Sequence, residues 1–256
     1  ACENLKVYFP IRGGVFGRVK DYVKAVDDVS LTLAKGETLG LVGESGSGKT
    51  TLAMALLRMI KSEGKIVFMG NPIDPLSTKQ LRPLRQHMQL VFQDPFASLN
   101  PRMTIQQIIE EGLRVHFTRL SAGERKARVE KILEEVGLPA NITSRFPHEF
   151  SGGQRQRISI ARAMVLSPSF VVMDEPTSAL DLTVQSTIID LLKDLQKKHG
   201  LGYIFISHDL RVIRAISHRI AVLYRGKIVE HGPTQKIIES PQNDYTKKLI
   251  AAALLK

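Results

Sequence analysis

The sequence of 256 residues contains no Trp and a single Cys, and aromatic residues make up only 6% of it. Because Cys2 is the only cysteine, the chain excludes an internal disulfide framework, a thiolate zinc site and a self-ligated iron–sulfur cluster. The longest apolar run, Leu249 to Leu255, is far shorter than the roughly 20 residues that span a bilayer, and no charged-then-apolar leader opens the chain. These absences predict a protein of a reducing compartment that is neither integral to a membrane nor secreted.

Acidic residues are also in deficit. The chain has 36 Lys and Arg against 25 Asp and Glu, which gives a formal net charge of +11. This excess favours an acidic partner, for which a nucleotide, a nucleic acid and an anionic lipid all qualify. Residues 193–256 hold twelve Lys and Arg against five Asp and Glu, so most of the excess lies in the last quarter. That quarter is expected to be a solvated face, with attraction to an anionic inner membrane leaflet as the alternative.

Hydrophobic periodicity indicates strands that alternate with helices, in one large domain or two small lobes. Strands are expected at 25–33 and 37–42, the second ending in a Gly-rich loop from which a helix over 49–59 begins. Further strands are predicted at 65–69, 88–92, 170–173, 203–207, 220–224 and 227–230, and further helices at 151–165, 184–198 and 210–216. Residues from about 95 to 150 read as a helical insertion. The alternation predicts an α/β fold with a largely parallel sheet.

The Gly-rich loop between strand and helix carries the pattern G-x4-G-K-[ST]. Glycines there allow backbone N–H groups to wrap phosphates at the positive end of the helix. Lys49 is expected to reach the β- and γ-phosphates, and Thr50 to ligate Mg²⁺. A chance match in a Gly-rich turn is the alternative, which the flanking strand and helix disfavour. The predicted phosphate-binding residues are Gly43, Glu44, Ser45, Gly46, Ser47, Gly48, Lys49, Thr50 and Thr51.

Two adjacent carboxylates, Asp174 and Glu175, end the apolar strand predicted at 170–173. Ligand sites of α/β folds lie at the carboxyl ends of strands. An Asp there can hold the metal through water, and a Glu one residue on can orient and activate an attacking water. Taken alone, the pair is equally compatible with an ordinary exposed strand end. Together with the phosphate loop it predicts nucleotide hydrolysis.

A second helix start follows Phe150, at Ser151-Gly152-Gly153-Gln154. In isolation it is most simply a helix capped by a serine. The functional interpretation is a second anion site, because two glycines at a helix N-terminus expose backbone donors. Since the chain has one phosphate loop, such a surplus site is best explained if it serves the nucleotide of another chain.

With these motifs in place, the sequence resembles the ATP-binding subunit of an ABC transporter from about Val26 to about Leu249. The phosphate loop and the two carboxylates are joined by Gln93 in V-F-Q-D-P and by F-S-G-G-Q, which resembles the family signature with Phe150 in place of the commoner Leu. S-A-L-D, ending at Asp181, resembles the D-loop, and His208 in I-S-H-D resembles the switch histidine. All six motifs stand in the order of the family.

The resemblance implies a single ABC ATPase domain over 1–256. Its fold would be a P-loop NTPase (RecA-like) core with a parallel sheet, an N-terminal antiparallel β part and an inserted helical subdomain. The nucleotide-binding core would comprise 1–94 and 155–256, and the helical and signature subdomain 95–154.

The resemblance also implies a role for each matching residue. Catalysis would fall to Lys49, Gln93, Glu175 and His208, and Mg²⁺ to Thr50, Gln93 and Asp174. The signature residues Ser151, Gly152, Gly153 and Gln154, together with Asp181, would meet ATP bound to a second ATPase domain arranged head to tail. Adenine would stack on Tyr22, with Phe16 as the alternative, although either ring could pack in the core instead. His148, His199, His218 and His231 have no such support and are expected to be structural.

Within the family, the stretch 91–101 and the late D-Y-T-K-K-L at 244–249 are similar to the oligopeptide and dipeptide permease branch. This implies an ATPase subunit that energises peptide import through ATP-driven dimerisation, at the cytoplasmic face of a prokaryotic plasma membrane. The implied partners are a second ATPase subunit, identical or not, transmembrane permease subunits and, indirectly, an extracellular substrate-binding protein. Phe96 and Leu99 would dock those subunits or pack in the small lobe.

Two alternatives stay open at this point. Nickel importers and some sugar importers share much of the branch pattern. A soluble ABC-type ATPase acting on nucleic acid fits the charge, but DNA-repair relatives insert long coiled coils between the phosphate loop and the signature. Only about 100 residues lie there in this chain, without sustained heptads, so no nucleic-acid partner is expected.

Overall fold

A computed structural model describes residues 1–13 and 18–254 of the chain. The chain divides into two compact units, the first formed by Ala1–Leu81 and Ile204–Lys256 and the second by Arg82–Tyr203. Among the described residues, no helix combines the length and the apolar character that crossing a bilayer requires.

Strands and helices alternate along most of the described chain. The strands are β1 (Cys2–Gly13), β2 (Arg18–Leu31), β3 (Thr38–Val42), β4 (Glu63–Phe68), β5 (Asn71–Pro72), β6 (Met88–Val91), β7 (Phe170–Asp174), β8 (Gly202–Ile206), β9 (Arg219–Tyr224) and β10 (Lys227–Pro233). The α-helices are α1 (Lys49–Leu56), α2 (Thr78–Arg85), α3 (Pro95–Ser98), α4 (Ile105–His116), α5 (Ala122–Glu135), α6 (Gly152–Met164), α7 (Leu182–His199), α8 (Leu210–Ile216), α9 (Thr234–Glu239) and α10 (Asp244–Leu254). Short 3-10 helices cover Ala140–Ile142 and Pro147–Glu149.

An antiparallel sheet in the first unit has the strand order β2-β1-β4-β5. β1 and β2 form a long hairpin, paired from Cys2 opposite Leu31 to Gly13 opposite Arg18. Leu5 and Val29, near the base of this hairpin, are fully buried. The predicted N-terminal antiparallel β part is therefore confirmed.

The strand that leads into the phosphate loop lies in a second sheet of the first unit. β3 pairs with β9 in parallel, with Val42 opposite Val222, and β9 pairs with β10 in antiparallel orientation. All five residues of β3 are buried, and helix α8 packs against it. A strand covered on both faces accounts for the unbroken apolar run in the sequence. The position of the loop that follows β3 is therefore fixed at its start by a fully buried strand.

The second unit joins a parallel strand pair to a helical part. β6 and β7 run in parallel, with Met88 opposite Phe170, and α4 packs against both α5 and α6. The apolar residues spaced three or four apart on α4 and α5 are buried: Ile105, Ile108, Ile109, Leu113, Val129, Ile132 and Leu133. Capping boxes at Thr104 and Ser121 begin the two helices. The helical insertion predicted from this periodicity is confirmed.

The structure departs from the predicted elements mainly outside the motifs. β2 begins at Arg18 and not at residue 25, and the hydrophobic periodicity did not predict β1, β5, α2, α9 or α10. The outer part of the β1–β2 hairpin buries few side chains, so its hydrophobic alternation is weak: Phe9 and Val23, which pair with each other, are 45% and 52% exposed. Leu99 is 2% exposed, which supports core packing and not docking. The side chain of Phe96 lies outside the described residues.

Candidate active site

The phosphate loop runs from the end of β3 to the first turn of α1, and its backbone admits only glycine at two places. Gly43 and Gly48 have φ values of 152° and 106°. A Cβ at Gly48 would overlap the carbonyl oxygen of Ala25, and one at Gly43 would overlap that of Leu223. Positive φ and close backbone approach together require glycine here. The loop is therefore held tightly between β2 and the end of β9.

Lys49, the first residue of α1, folds its side chain back over this loop. Its Nζ donates hydrogen bonds to the carbonyl oxygens of Gly43 and Glu44, each at 2.8 Å. The residue is only 7% exposed, so these bonds compensate for much of the cost of burying the charge. The helix has no side-chain cap at its N-terminus and no acidic residue in its first turn. The loop thus offers a preplaced cation and a positive helix end to an anion.

The other predicted phosphate-binding residues differ in their exposure. Thr50 is exposed and Thr51 half-buried on the first turn of α1. Ser45 and Gly46 are exposed, whereas Ser47 is buried. Thr50 is therefore not covered by other parts of the unit.

Tyr22, the predicted adenine contact, lies on β2 of the same unit and is 49% exposed. It precedes by three residues Ala25, whose carbonyl lies against Gly48. Its ring centroid is 6.5 Å from that of Tyr8. A hydrogen bond to Asp27 raises the pKa of Tyr8 to about 12, so that side chain stays neutral. Phe16, the alternative, lies outside the described residues.

His208 follows β8, the neighbour of β3 in the sheet order. The next residue, Asp209, caps α8 by accepting a hydrogen bond from the backbone N–H of Arg211 at 2.8 Å. The Arg211 side chain lowers the pKa of Asp209. His208 therefore stands in a short connection whose far end is fixed.

The second unit brings Gln93 and Glu175 together. Val91 of β6 pairs with Met173 of β7. Gln93 and Glu175 each lie two positions further along, so they follow adjacent strand ends. Gln93 Nε2 donates to Glu175 Oε2 at 3.1 Å. Glu175 has a φ of 47°, a strained value that is common at functional sites. Asp174, the last residue of β7, is 7% exposed.

The signature segment begins helix α6, and it abuts the D-loop. Ser151 is the N-cap, with its side chain bound to the Gln154 N–H and the Gln154 side chain bound to the Ser151 N–H. A Cβ at Gly153 would lie 2.6 Å from Val184 Cγ1. Asp181 caps α7 by accepting from the Val184 N–H at 2.9 Å. The capping interpretation of Ser151 is confirmed, and the close approach of Gly153 to Val184 places the N-termini of α6 and α7 near each other.

Three of the histidines set aside in the sequence have structural partners. His199 Nε2 lies 2.8 Å from Glu135 Oε2, and His218 Nδ1 accepts from the Thr38 N–H at 3.0 Å. His148 stacks on a phenylalanine ring at 5.8 Å. These contacts agree with a structural role.

One contact to the phosphate loop was not predicted. The backbone N–H of Gly226, in the turn between β9 and β10, donates to the carbonyl oxygen of Ser47 at 2.9 Å. The sequence shows Arg225-Gly226 as a turn between two strands, and both residues have positive φ. Nothing local indicates that this turn meets a loop almost 180 residues earlier.

Known proteins are similar to this chain in sequence. The family model described as "ABC transporter" matches residues 26–178. The "Peptidoglycan transport ATP-binding protein YejF" of Agrobacterium fabrum is 58% identical over 98% of this chain and 46% of its own length. The "Glutathione import ATP-binding protein GsiA" of Salmonella typhimurium is 54% identical over 98% of this chain and 40% of its own length. The chain thus spans about half the length of the curated relatives that it matches.

Solved structures share the fold. A dimeric structure of a post-hydrolysis state of the ATP-binding cassette MJ0796, bound to ADP and Pi, has a TM-score of 0.80 and 28% identity, and it covers 91% of this chain and 97% of that one. The cbiO1 protein from Clostridium perfringens, part of the ABC transporter complex cbiONQ, has a TM-score of 0.78 and 26% identity, and covers 100% of this chain and 96% of that one.

Proposed function

The chain belongs to the ABC transporter family and carries its ATPase domain, and from this premise we propose that it energises the import of a short peptide or peptide-like solute. The observation that carries the proposal is the phosphate loop, in which the buried Lys49 ammonium is held on the carbonyls of Gly43 and Glu44. Lys49 and the loop amides bind the phosphates of ATP, and Tyr22 stacks on adenine. His208 contacts the γ-phosphate.

Glu175 is the general base of hydrolysis in this proposal. A carboxylate in hydrogen-bond reach of an attacking water takes its proton as the bond to phosphorus forms. Gln93, which donates to Glu175 Oε2, holds that carboxylate in one orientation. The loss of this contact therefore weakens the base without removing it.

The residues assigned to Mg²⁺ fit that ion chemically. Thr50, Gln93 and Asp174 supply hydroxyl, amide and carboxylate oxygens, the hard donors that Mg²⁺ prefers. Among the described residues no cluster of three or more His, Cys, Asp or Glu could hold a metal, and Mg²⁺ in such sites is usually completed by phosphates and waters. When bound, the ion would neutralise charge on the β- and γ-phosphates.

Ser151, Gly152, Gly153, Gln154 and Asp181 serve a second ATPase domain. The N-terminus of α6 supports this, because backbone amides at a helix start bind anions. The related cassette MJ0796 is described as dimeric with ADP and Pi bound. ATP therefore closes a dimer with an identical or a similar partner, and hydrolysis reopens it.

The solute class and the membrane partners rest on the relatives. Their names specify glutathione import and peptidoglycan transport, and both compounds contain short peptides. The partners we propose are permease subunits in a prokaryotic plasma membrane, with the ATPase bound peripherally at the cytoplasmic face. A substrate-binding protein outside delivers the solute.

Solute uptake by a host strain that lacks the gene tests this function. Complementation with the intact gene should restore uptake of labelled di- or tripeptides, whereas a gene carrying Lys49→Ala should not. If the intact gene restored uptake of nickel ions but not of peptides, the transported solute would be nickel and not a peptide. Equal peptide uptake with both genes would contradict the proposal.

A further inference from the structure

Helix α10, near the end of the described chain, reaches the phosphate loop through Tyr245. The backbone N–H of Glu44 donates a hydrogen bond to the Tyr245 hydroxyl at 3.0 Å. The two residues are 201 positions apart in the sequence. A side chain outside the loop motif therefore contacts the second residue of that loop.

The two peptide groups of Glu44 are thus held from both sides. Its carbonyl oxygen accepts from Lys49 Nζ at 2.8 Å, while its N–H binds Tyr245. At the other end of the loop, the Ser47 carbonyl accepts from the Gly226 N–H. The loop conformation is therefore set partly by the segment from β9 to α10.

Aromatic stacking fixes the Tyr245 ring. Its centroid lies 4.2 Å from that of Tyr224, the last residue of β9, with 34° between the ring planes. The Arg225 guanidinium carbon lies 5.1 Å from the Tyr224 ring centroid. Such ring contacts have a specific geometry and add stabilisation beyond the buried area. The hydroxyl is thereby aimed at Glu44 by a half-buried ring.

The start of α10 is also tied to the sheet. The Glu230 carboxylate, on β10, accepts from the backbone N–H groups of Gln242 and Asn243 at 2.8 and 3.1 Å. The Asn243 side chain in turn accepts from the Tyr245 N–H at 2.9 Å. Both the backbone and the ring of Tyr245 are anchored to β9 and β10.

We propose that Tyr245 is a positioning residue for ATP, whose hydroxyl keeps the phosphate loop in its binding conformation before ATP arrives. This rests on the proposed binding of ATP at that loop. Without the hydroxyl, Glu44 loses the partner that fixes its N–H, and the loop spends less time in the competent conformation. The apparent dissociation constant rises by the inverse of that fraction. Once ATP is bound, phosphate contacts hold the loop, so the rate of hydrolysis at saturation is unaffected.

The test compares Tyr245→Phe with Tyr224→Phe in the purified full chain. Both variants keep the stacked rings, but only the first removes the hydroxyl that binds Glu44. In Tyr245→Phe, the dissociation constant of a fluorescent ATP analogue and the KM for ATP should rise about three- to tenfold, with kcat and the melting temperature unchanged. Tyr224→Phe should bind ATP like the unmodified chain.

Two results would overturn the inference. If Tyr245→Phe binds ATP with unchanged affinity, the hydroxyl does not position the loop. If both variants lose affinity equally, the stacking and not the hydroxyl matters. Lys49→Ala, measured in parallel, separates this inference from the proposed function: if Lys49→Ala binds ATP normally, the loop is not the ATP site and both proposals fail.

Discussion

Lys49 shows how a single residue prepares the loop for its ligand. The residue is 7% exposed and its ammonium is held by two loop carbonyls, so the charge stands where phosphate oxygens are expected. When phosphate oxygens replace the carbonyl oxygens as acceptors, the ammonium gains partners of opposite charge, which strengthens its hydrogen bonds.

Lys49→Ala should lower ATP affinity by at least about a hundredfold, because it removes two or more charge-assisted hydrogen bonds. Titration calorimetry with ATP measures this. Lys61→Ala is the matched control, since Lys61 is an exposed lysine of the same unit, and its affinity should be unchanged. Loss of affinity in both variants would indicate a general charge effect.

At the scale of elements, short-range signals were sufficient to predict the motifs. The phosphate loop, the end of β7 and the capped start of α6 are each encoded within about ten residues, and the structure has each of them on the expected strand, loop or helix. The contacts of Tyr245 with Glu44 and of Gly226 with Ser47 join distant segments, for which one sequence carries no signal. The predicted length of the β1–β2 hairpin was too short, because its outer part is held by strand pairing and buries few apolar side chains that a sequence pattern could reveal.

The signature helix gives a matched test of packing. A Cβ at Gly153 would lie 2.6 Å from a γ-carbon of Val184, a stiff β-branched side chain, whereas one at Gly152 would meet Leu180 at an ordinary 3.6 Å. Gly153→Ala should therefore lower the free energy of unfolding by about 1–3 kcal/mol, and Gly152→Ala should raise it by up to about 1 kcal/mol. Urea titration measures both. Equal stability of the two variants would contradict the observed contact between α6 and α7.

Helices α4 and α5 are joined by a buried carboxylate. Glu110, 5% exposed, accepts from Arg114 Nε at 3.0 Å on its own helix and from Arg125 Nε at 3.4 Å on α5. Burial alone would raise the pKa of Glu110, but hydrogen bonds from Gln106 and Arg114 and the nearby arginine charges outweigh it, so that the pKa is lowered below 4.5.

A lowered folded-state pKa stabilises the fold above the unfolded value of about 4.5, and this stabilisation is lost as the pH falls through the folded-state pKa. Glu110→Gln should reduce the free energy of unfolding by about 2 kcal/mol at pH 7. The difference from the unmodified chain should shrink below pH 4.5. Urea titrations at pH 7 and at pH 3.5 measure it. A constant difference across this range would show that Glu110 is not the titrating group.

At the scale of the whole molecule, the charge of +11 does not by itself locate the active site. Lys49 is the basic residue with the strongest link to the nucleotide, while the last quarter of the chain carries seven of the excess positive charges. Composition alone predicted an acidic partner, and the motifs were needed to identify ATP. The solute class and the partner subunits that we propose rest on the named relatives and not on a residue of the candidate site.

ATP turnover by a Glu175→Gln variant of the full chain tests the central claim most directly. The change removes the proposed base and keeps the shape of the side chain, so the variant should bind ATP with normal affinity while hydrolysis falls by at least about a hundredfold. The ATP-bound variant should then accumulate as a dimer of about twice the monomer mass in light scattering. Hydrolysis at the normal rate would show that Glu175 is not the base and would contradict the mechanism.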